Sequence, residues 1–217
     1  MSARVLVVDN RDSFTWNLAH VFLELGATTE VVDVEALVID DMGAHSPDLV
    51  VLGPGPRGPD ELPALRAVVR ALVGRAPIFG VCLGLQALVL VEGGEVGRAT
   101  RPLHGKTCRV SHDDTSVLRG LPSPFEAMRY NSLVATRVPP RFRVCARDDD
   151  GQVMAIVDEG ARIAAVQFHP ESIGTAGGRT ICAAALRMAG QPAVVVERSG
   201  SIPPPARATD PSEPRSS

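Results

Sequence analysis

Four short runs of this chain, residues 4–8, 48–52, 77–81 and 163–168, are apolar at almost every position instead of alternating with polar residues. A strand with two apolar faces has to be covered on both, which is the condition of a parallel sheet flanked by helices. Helical patterns stand between the runs. Leu18, Val21, Phe22 and Leu25 form one face after the first run, with Asp12-Ser13 expected as the N-cap and Gly26 as the end. Leu65, Val68, Val69 and Leu72 form a second face before the third run, with Gly74 beyond it. A strand at residues 30–33 and a weaker segment at 35–42 lie between the first two runs. The fold class expected is therefore α/β with an open, mostly parallel central sheet.

From residue 95 onward the rhythm changes. Short strand-like runs at 106–110, 142–146, 152–157 and 162–167 are separated by turns, an additional small antiparallel region. Asp148-Asp149-Asp150-Gly151 and Asp158-Glu159-Gly160 read as hairpin connections. The three aspartates lack the twelve-residue ligand spacing of a calcium loop. A last helix, at about 178–189, carries Ile181, Ala184, Ala185 and Met188 on one side. Residues 1–190 are thus expected to form one domain. The stretch 191–217, with six prolines among serines and charges, reads as a flexible tail.

The third run ends in Gly80-Val81-Cys82-Leu83-Gly84-Leu85-Gln86, a cysteine between glycines where a strand gives way to a helix. Glycines two before and two after a nucleophile permit the sharp turn that lifts a side chain above a sheet. A thiol with an ordinary pKa of about 8.5 is only slightly ionised at neutral pH, so it wants a base. Gln167-Phe168-His169-Pro170-Glu171-Ser172 supplies one just after the fourth run, and Glu171 is a carboxylate able to orient the imidazole. A buried cysteine is by default an inert core residue, and His-Pro often only ends a strand. What raises both above that reading is their place, each at the C-terminal end of a strand, where sites gather in open α/β sheets.

Composition narrows the chemistry further. The chain has 217 residues, 45% of them hydrophobic, enough to bury a core, and its net charge of −3 offers no basic field for nucleic acid or an anionic membrane. Cys82, Cys108, Cys145 and Cys182 show no C-x-x-C spacing, which points away from a zinc clip or a disulfide framework. His20, His45, His104, His112 and His169 are not spaced as metal ligands, and the loop Gly53-Pro54-Gly55-Pro56-Arg57-Gly58-Pro59 lacks the lysine of a nucleotide-binding P-loop. No metal and no cofactor is expected. With no leader pattern and no apolar run of about 20 residues, a cytoplasmic, membrane-free protein is expected.

The G-x-C-x-G-x-Q elbow with its distant H-P-E resembles the class I (triad) glutamine amidotransferases, whose flavodoxin-like fold the alternation above would suit. Within them the chain is similar to the small-subunit branch of anthranilate and aminodeoxychorismate synthases. Residues 9–17, Pro54-Gly55-Pro56, His104-Gly105-Lys106-Thr107 and Arg129-Tyr130-Asn131-Ser132-Leu133 carry that likeness. The resemblance implies a Cys82, His169 and Glu171 triad that hydrolyses L-glutamine through a thioester. It implies an oxyanion hole from the N–H groups of Gly55 and Leu83, and substrate contacts at Gly55, Pro56, Gln86, Ser132 and Leu133. As the acceptor of ammonia it implies a larger chorismate-binding synthase subunit, with residues 104–107 and 129–133 near that partner.

Leu85, Arg57, Asn131 and Cys108 depart from the commonest family pattern, in which histidine, glycine, histidine and serine respectively are frequent. Trp16 leans towards the aminodeoxychorismate type, while anthranilate formation and an isochorismate-derived product stay open. Two other functions stand beside the leading one: a catalytically silent regulatory subunit, motivated by those departures, and a free-standing γ-glutamyl peptidase on the same elbow.

Overall fold

In a computed structural model the described residues are 2–37 and 47–190. Most of the weaker segment expected at 35–42, and the whole tail expected at 191–217, lie outside them. The strands are β1 (Arg4–Asp9), β2 (Thr28–Asp33), β3 (Leu49–Leu52), β4 (Ile78–Val81), β5 (Glu95–Arg98), β6 (Lys106–His112), β7 (Phe125–Arg129), β8 (Leu133–Arg137), β9 (Arg143–Asp148), β10 (Val153–Asp158) and β11 (Ile163–Val166). The helices are α1 (Thr15–Glu24), α2 (Pro63–Leu72), α3 (Leu83–Val91) and α4 (Gly178–Met188).

Nine strands form one sheet in the order β2-β1-β3-β4-β11-β10-β9-β6-β7, and β5 pairs with β8 in a small separate sheet. The strands from β2 to β11 in that order are all parallel, and those beyond β11 continue antiparallel. The expected architecture is borne out, with most of the antiparallel strands extending the main sheet. Alternate residues divide the core into two layers. Val5, Val7, Leu49, Val51, Phe79 and Val81 face the layer shared with α1 and α4, whereas Leu6, Val8, Val50, Leu52 and Ile78 face the layer shared with α2 and α3. Burial on both faces, at about 1.5–3 kcal/mol for each large side chain, is why these runs are apolar at almost every position.

Two expectations change in detail. Helix α1 begins at Thr15 with Phe14 in the capping position and no side-chain cap, rather than at an Asp12-Ser13 cap. The Asp9 carboxylate accepts the N–H groups of Arg11 and Asp12 and the Thr15 hydroxyl (2.9, 3.3 and 2.7 Å), and Asp12 accepts the Phe14 N–H (2.8 Å), so both acids close the turn before the helix starts. Helix α4 buries Ile181, Cys182, Ala183, Ala185 and Leu186, while Ala184 and Met188 are only partly covered, because the 3₁₀ turn Ser116–Leu118 packs on it as well as the sheet. Strand β7 escaped the hydrophobic pattern because one of its inward positions, Arg129, is charged.

Candidate active site

Parallel neighbours β4 and β11 end together, with Val81 opposite Val166, and so bring the residues after each strand to one edge. Cys82 follows the first of these ends. Its N–H donates to the Val166 carbonyl (2.8 Å), and its backbone stands at φ +53°, ψ −100°. A non-glycine residue there costs about 1–3 kcal/mol of strain. The two glycines of the elbow serve a different need from the turn expected of them. Neither is among the positive-φ residues. A Cβ on Gly80 would stand 2.9 Å from the Ala165 Cβ, and one on Gly84 would stand 2.8 Å from the Leu52 Cβ, so both let α3 press onto the sheet.

His169 follows the end of β11 by three residues, and its N–H donates to the Met128 carbonyl (3.0 Å). Its Nδ1–H reaches Glu171 Oε1 at 2.6 Å, with the two side chains only 2% and 0% exposed. The ring's Nε2 has no hydrogen bond of regular geometry among the described residues, yet the Cys82 sulfur is close enough to act on its ionisation. Burial alone would lower the imidazole pKa, but the Cys82 sulfur and then the Glu171 carboxylate push it up to about 10. Phe14 and Tyr130, stacked on one another with centroids 4.6 Å apart, meet the imidazole edge-on at 5.4 and 5.0 Å. Such contacts favour an imidazolium and hold its plane. A thiol, an imidazole and an orienting carboxylate in this order are what acyl transfer requires.

A cavity of about 680 Å³ opens over this edge, and Cys82, His169, Gly55, Pro56, Gln86, Ser132 and Leu133 all line it. The two other expected site residues lie behind its wall. Glu171 backs His169, and Leu83, first residue of α3 and hence with an N–H free of any intrahelical acceptor, is packed under the Gly-Pro loop at Gly55. That loop is clamped by a residue whose role the sequence did not reveal. Asn10 donates from Nδ2 to the Gly53 carbonyl (2.9 Å), and a Cβ on Gly55 would come within 3.0 Å of the Asn10 Cβ. Of the departures noted above, Arg57 and Asn131 line the cavity, whereas Leu85 is buried in the layer shared with α2, where an apolar side chain is what packing asks for.

Gln86 is tied to the wall of the pocket. Its Nε2 donates to the Leu133 carbonyl (2.9 Å) and to Gln167 Oε1 (3.3 Å), and Gln167 Nε2 in turn donates to Cys82 Sγ (3.5 Å). Gln167 had no signal beyond its place in the H-P-E stretch. Segments 99–105 and 129–132 are joined by hydrogen bonds from Ala99 to Ser132, Leu103 to Asn131 and Gly105 to Arg129 (2.9, 3.2 and 2.9 Å), so two stretches distant in the chain form one rim.

Cys108 explains an orphaned group nearby. Arg129 is fully buried, its NH2 has no hydrogen-bond partner among the described residues, and the Cys108 thiol lies close enough to the guanidinium to feel it, its pKa raised by burial against that pull. A hydroxyl accepts a hydrogen bond better than sulfur does. Cys108→Ser is therefore expected to stabilise the protein by about 1 kcal/mol, seen as a higher urea midpoint at unchanged slope; an unchanged or lower midpoint contradicts the pairing.

Comparison with known proteins agrees with this geometry. Residues 6–188 match the family model described as "Glutamine amidotransferase class-I". The chain is 42% identical over 177 residues to "Aminodeoxychorismate/anthranilate synthase component 2" of Bacillus subtilis (strain 168), covering 81% of this chain and 91% of that one. It is 42% identical over 181 residues to "Aminodeoxychorismate synthase component 2" of Escherichia coli (strain K12), covering 82% and 97%, and 43% identical over 183 residues to "Anthranilate synthase component 2" of Azospirillum brasilense, covering 82% and 92%. Among solved structures it is similar to a putative GMP synthase subunit from Thermoplasma acidophilum, with TM-score 0.81 and 27% identity over 88% of this chain and 95% of that one. A glutamine amidotransferase from Thermotoga maritima shares the fold, with TM-score 0.67 and 19% identity over 79% and 77%. Since the family model spans almost every described residue and these relatives are matched over nearly their whole length, the chain belongs to the class-I glutamine amidotransferase family.

Proposed function

We propose that this chain hydrolyses L-glutamine and passes the ammonia to a larger chorismate-binding synthase subunit that makes aminodeoxychorismate or anthranilate. Cys82 sulfur attacks the side-chain amide carbon, and the negative charge that develops on the amide oxygen is met by the N–H groups of Gly55 and Leu83, donors worth about 3 kcal/mol each in such reactions. The His169 imidazolium gives its Nε2 proton to the leaving nitrogen, the C–N bond breaks, and ammonia departs from a γ-glutamyl thioester. Water then adds to the thioester, losing a proton to His169, and the C–S bond breaks to release glutamate and the thiolate. Glu171 holds the imidazole plane and its charge throughout. Pro56, Gln86, Ser132 and Leu133 provide the walls that seat the substrate. Thiol and imidazole are sufficient for this hydrolysis, so no cofactor is assigned to this subunit.

The observation that carries this reading is the convergence of Cys82 and the His169–Glu171 pair over the adjoining ends of β4 and β11, at the floor of one cavity. The partner is inferred from relatives named as component 2 of synthases and from chemistry. Ammonia released into water at neutral pH is mostly protonated and no longer nucleophilic, so its production is useful only beside an acceptor site. Relatives of both synthase types are about equally similar, at 42–43% identity. No helix among the described residues is long and apolar enough to cross a membrane, and four unpaired buried cysteines fit a reducing compartment such as the cytoplasm.

A diazoketone analogue of glutamine, incubated with the chain and with its complex purified from the native cell, is expected to leave a single covalent adduct on Cys82 that excess glutamine prevents. No adduct there, in either preparation, would make the chain a silent binding subunit.

A further inference from the structure

The buried arginine at the end of β7 reaches the pocket through an unbroken line of hydrogen bonds. Arg129 NH1 donates to Asp148 Oδ2 (2.7 Å), and its Nε donates to Asn131 Oδ1 (3.0 Å). Asn131 Nδ2 donates to the Leu133 carbonyl (2.7 Å), which also receives Gln86 Nε2 (2.9 Å). The far end is equally well held, since Asp148 accepts the Gln152 N–H and Gln152 Nε2 (both 2.8 Å) at the β9–β10 hairpin. A carbonyl that receives two donors has little freedom to rotate, and a planar guanidinium that spans two acceptors fixes both of them at once.

We propose that Arg129 and Asn131 are positioning residues of the glutamine pocket: anchored on Asp148, they set the direction of the Leu133 carbonyl and, through it, the place of the Gln86 side chain. The inference rests on the function proposed above, because Gln86, Ser132 and Leu133 matter in this way only if they seat a substrate. Neither Arg129 nor Asp148 lines the cavity, and the guanidinium reaches it by its hydrogen bond to Asn131. A buried arginine on a strand face whose other residues are Phe125 and Ala127 costs desolvation, and this line of contacts supplies a reason for its presence. The amide of Asn131 acts here as one acceptor and one donor on the same planar group. A neutral imidazole has the same pair, one bare nitrogen and one N–H, at similar separation.

The test measures two rates at Cys82 in the full chain. Labelling by the glutamine diazoketone, resolved into an inhibition constant and a limiting rate, reports pocket and thiol together, whereas alkylation by iodoacetamide reports the thiol alone. Asn131→Ala is expected to raise the diazoketone constant about tenfold, with the limiting rate and the iodoacetamide rate within about twofold of wild type. Arg129→Lys is expected to give the same shift, and the double variant no further one, since both break one line. Asn131→His is expected to restore the wild-type constant to within about threefold. If Arg129→Lys does not fold, the alanine and histidine variants at 131 decide the matter. A diazoketone constant unchanged by Asn131→Ala, or an iodoacetamide rate that falls in parallel with labelling, overturns the proposal. Wild-type chain that takes no label at Cys82 would instead remove the function on which it stands, and that outcome is read before any variant is compared.

Discussion

Cys82→Ala is expected to lower glutamine-dependent amination by the assembled synthase about 10³-fold or more, while amination driven by added ammonium salt continues at its normal rate. The two arms separate the nucleophile from the scaffold. If only the thiol is lost, the acceptor subunit still receives a folded partner and still uses ammonia from solution. Equal loss in both arms would mean that the substitution damaged assembly, and retention of glutamine use would remove Cys82 from its assigned role. The backbone sharpens this expectation. At φ +53° and ψ −100° residue 82 occupies a conformation that a side chain disfavours, and no hydrogen bond from the thiol to a cap compensates for it. Cys82→Gly should therefore abolish glutamine use and at the same time raise stability by about 1 kcal/mol, read as a shift of the urea midpoint. Strain kept at a site that performs chemistry, and relieved by a variant that cannot, is the signature of stability exchanged for activity.

Glu171→Gln is expected to reduce the turnover of glutamine by roughly two to four orders of magnitude with little change in overall fold. The amide oxygen can still accept the Nδ1–H that Glu171 Oε1 now accepts at 2.6 Å, so the orientation of the ring has a partner, but the charge is gone. The direction of the pH effect follows. Burial opposes the imidazolium, whereas the Cys82 sulfur and the Glu171 carboxylate favour it strongly enough to hold the His169 pKa at about 10 in the folded chain. Its unfolded value is about 6.5. A group whose pKa is raised by folding contributes stability that is complete below the unfolded value and is lost as pH rises through the folded one. Wild-type protein should thus lose stability between pH 6.5 and about pH 10. The glutamine variant, with one of the two supports removed, should lose less, so the gap between their urea midpoints narrows towards high pH. For the same reason the alkaline limb of its activity profile should move to lower pH. An unmoved limb would show that the carboxylate only fills space beside the ring.

The parts of the site that were legible in the sequence are those in which the chemistry depends on residue type at short range. A cysteine two positions from each of two glycines, and a histidine two positions from a glutamate, are local patterns, and both fall at strand ends that apolar runs alone mark out. What the glycines do is nonetheless a matter of packing and not of the turn. Gly80 and Gly84 lack side chains because β3, β11 and α3 approach too closely for a Cβ, a fact about packing that spacing cannot express, and the strained angle falls on Cys82 itself. Strand β7 stayed hidden because a charged residue at one of its inward positions, Arg129, breaks the pattern that identifies a strand. Among the described residues the Arg129 side chain donates to Asp148 and Asn131, one of them nineteen residues away.

Local composition and period were enough to determine an open α/β sheet, its two covered faces, a thiol at the end of one strand and an imidazole with its carboxylate at the end of another, because burial and turn chemistry act between near neighbours along the chain. Tertiary structure alone decided that those two strands lie side by side. It also decided that Asn10 clamps the Gly-Pro loop, that Phe14 and Tyr130 flank the imidazole, and that a line from Asp148 through Arg129 and Asn131 reaches Gln86. Most of these contacts join residues far apart in the sequence, and their energies depend on distance and direction in space, quantities that exist only once the chain has closed on itself.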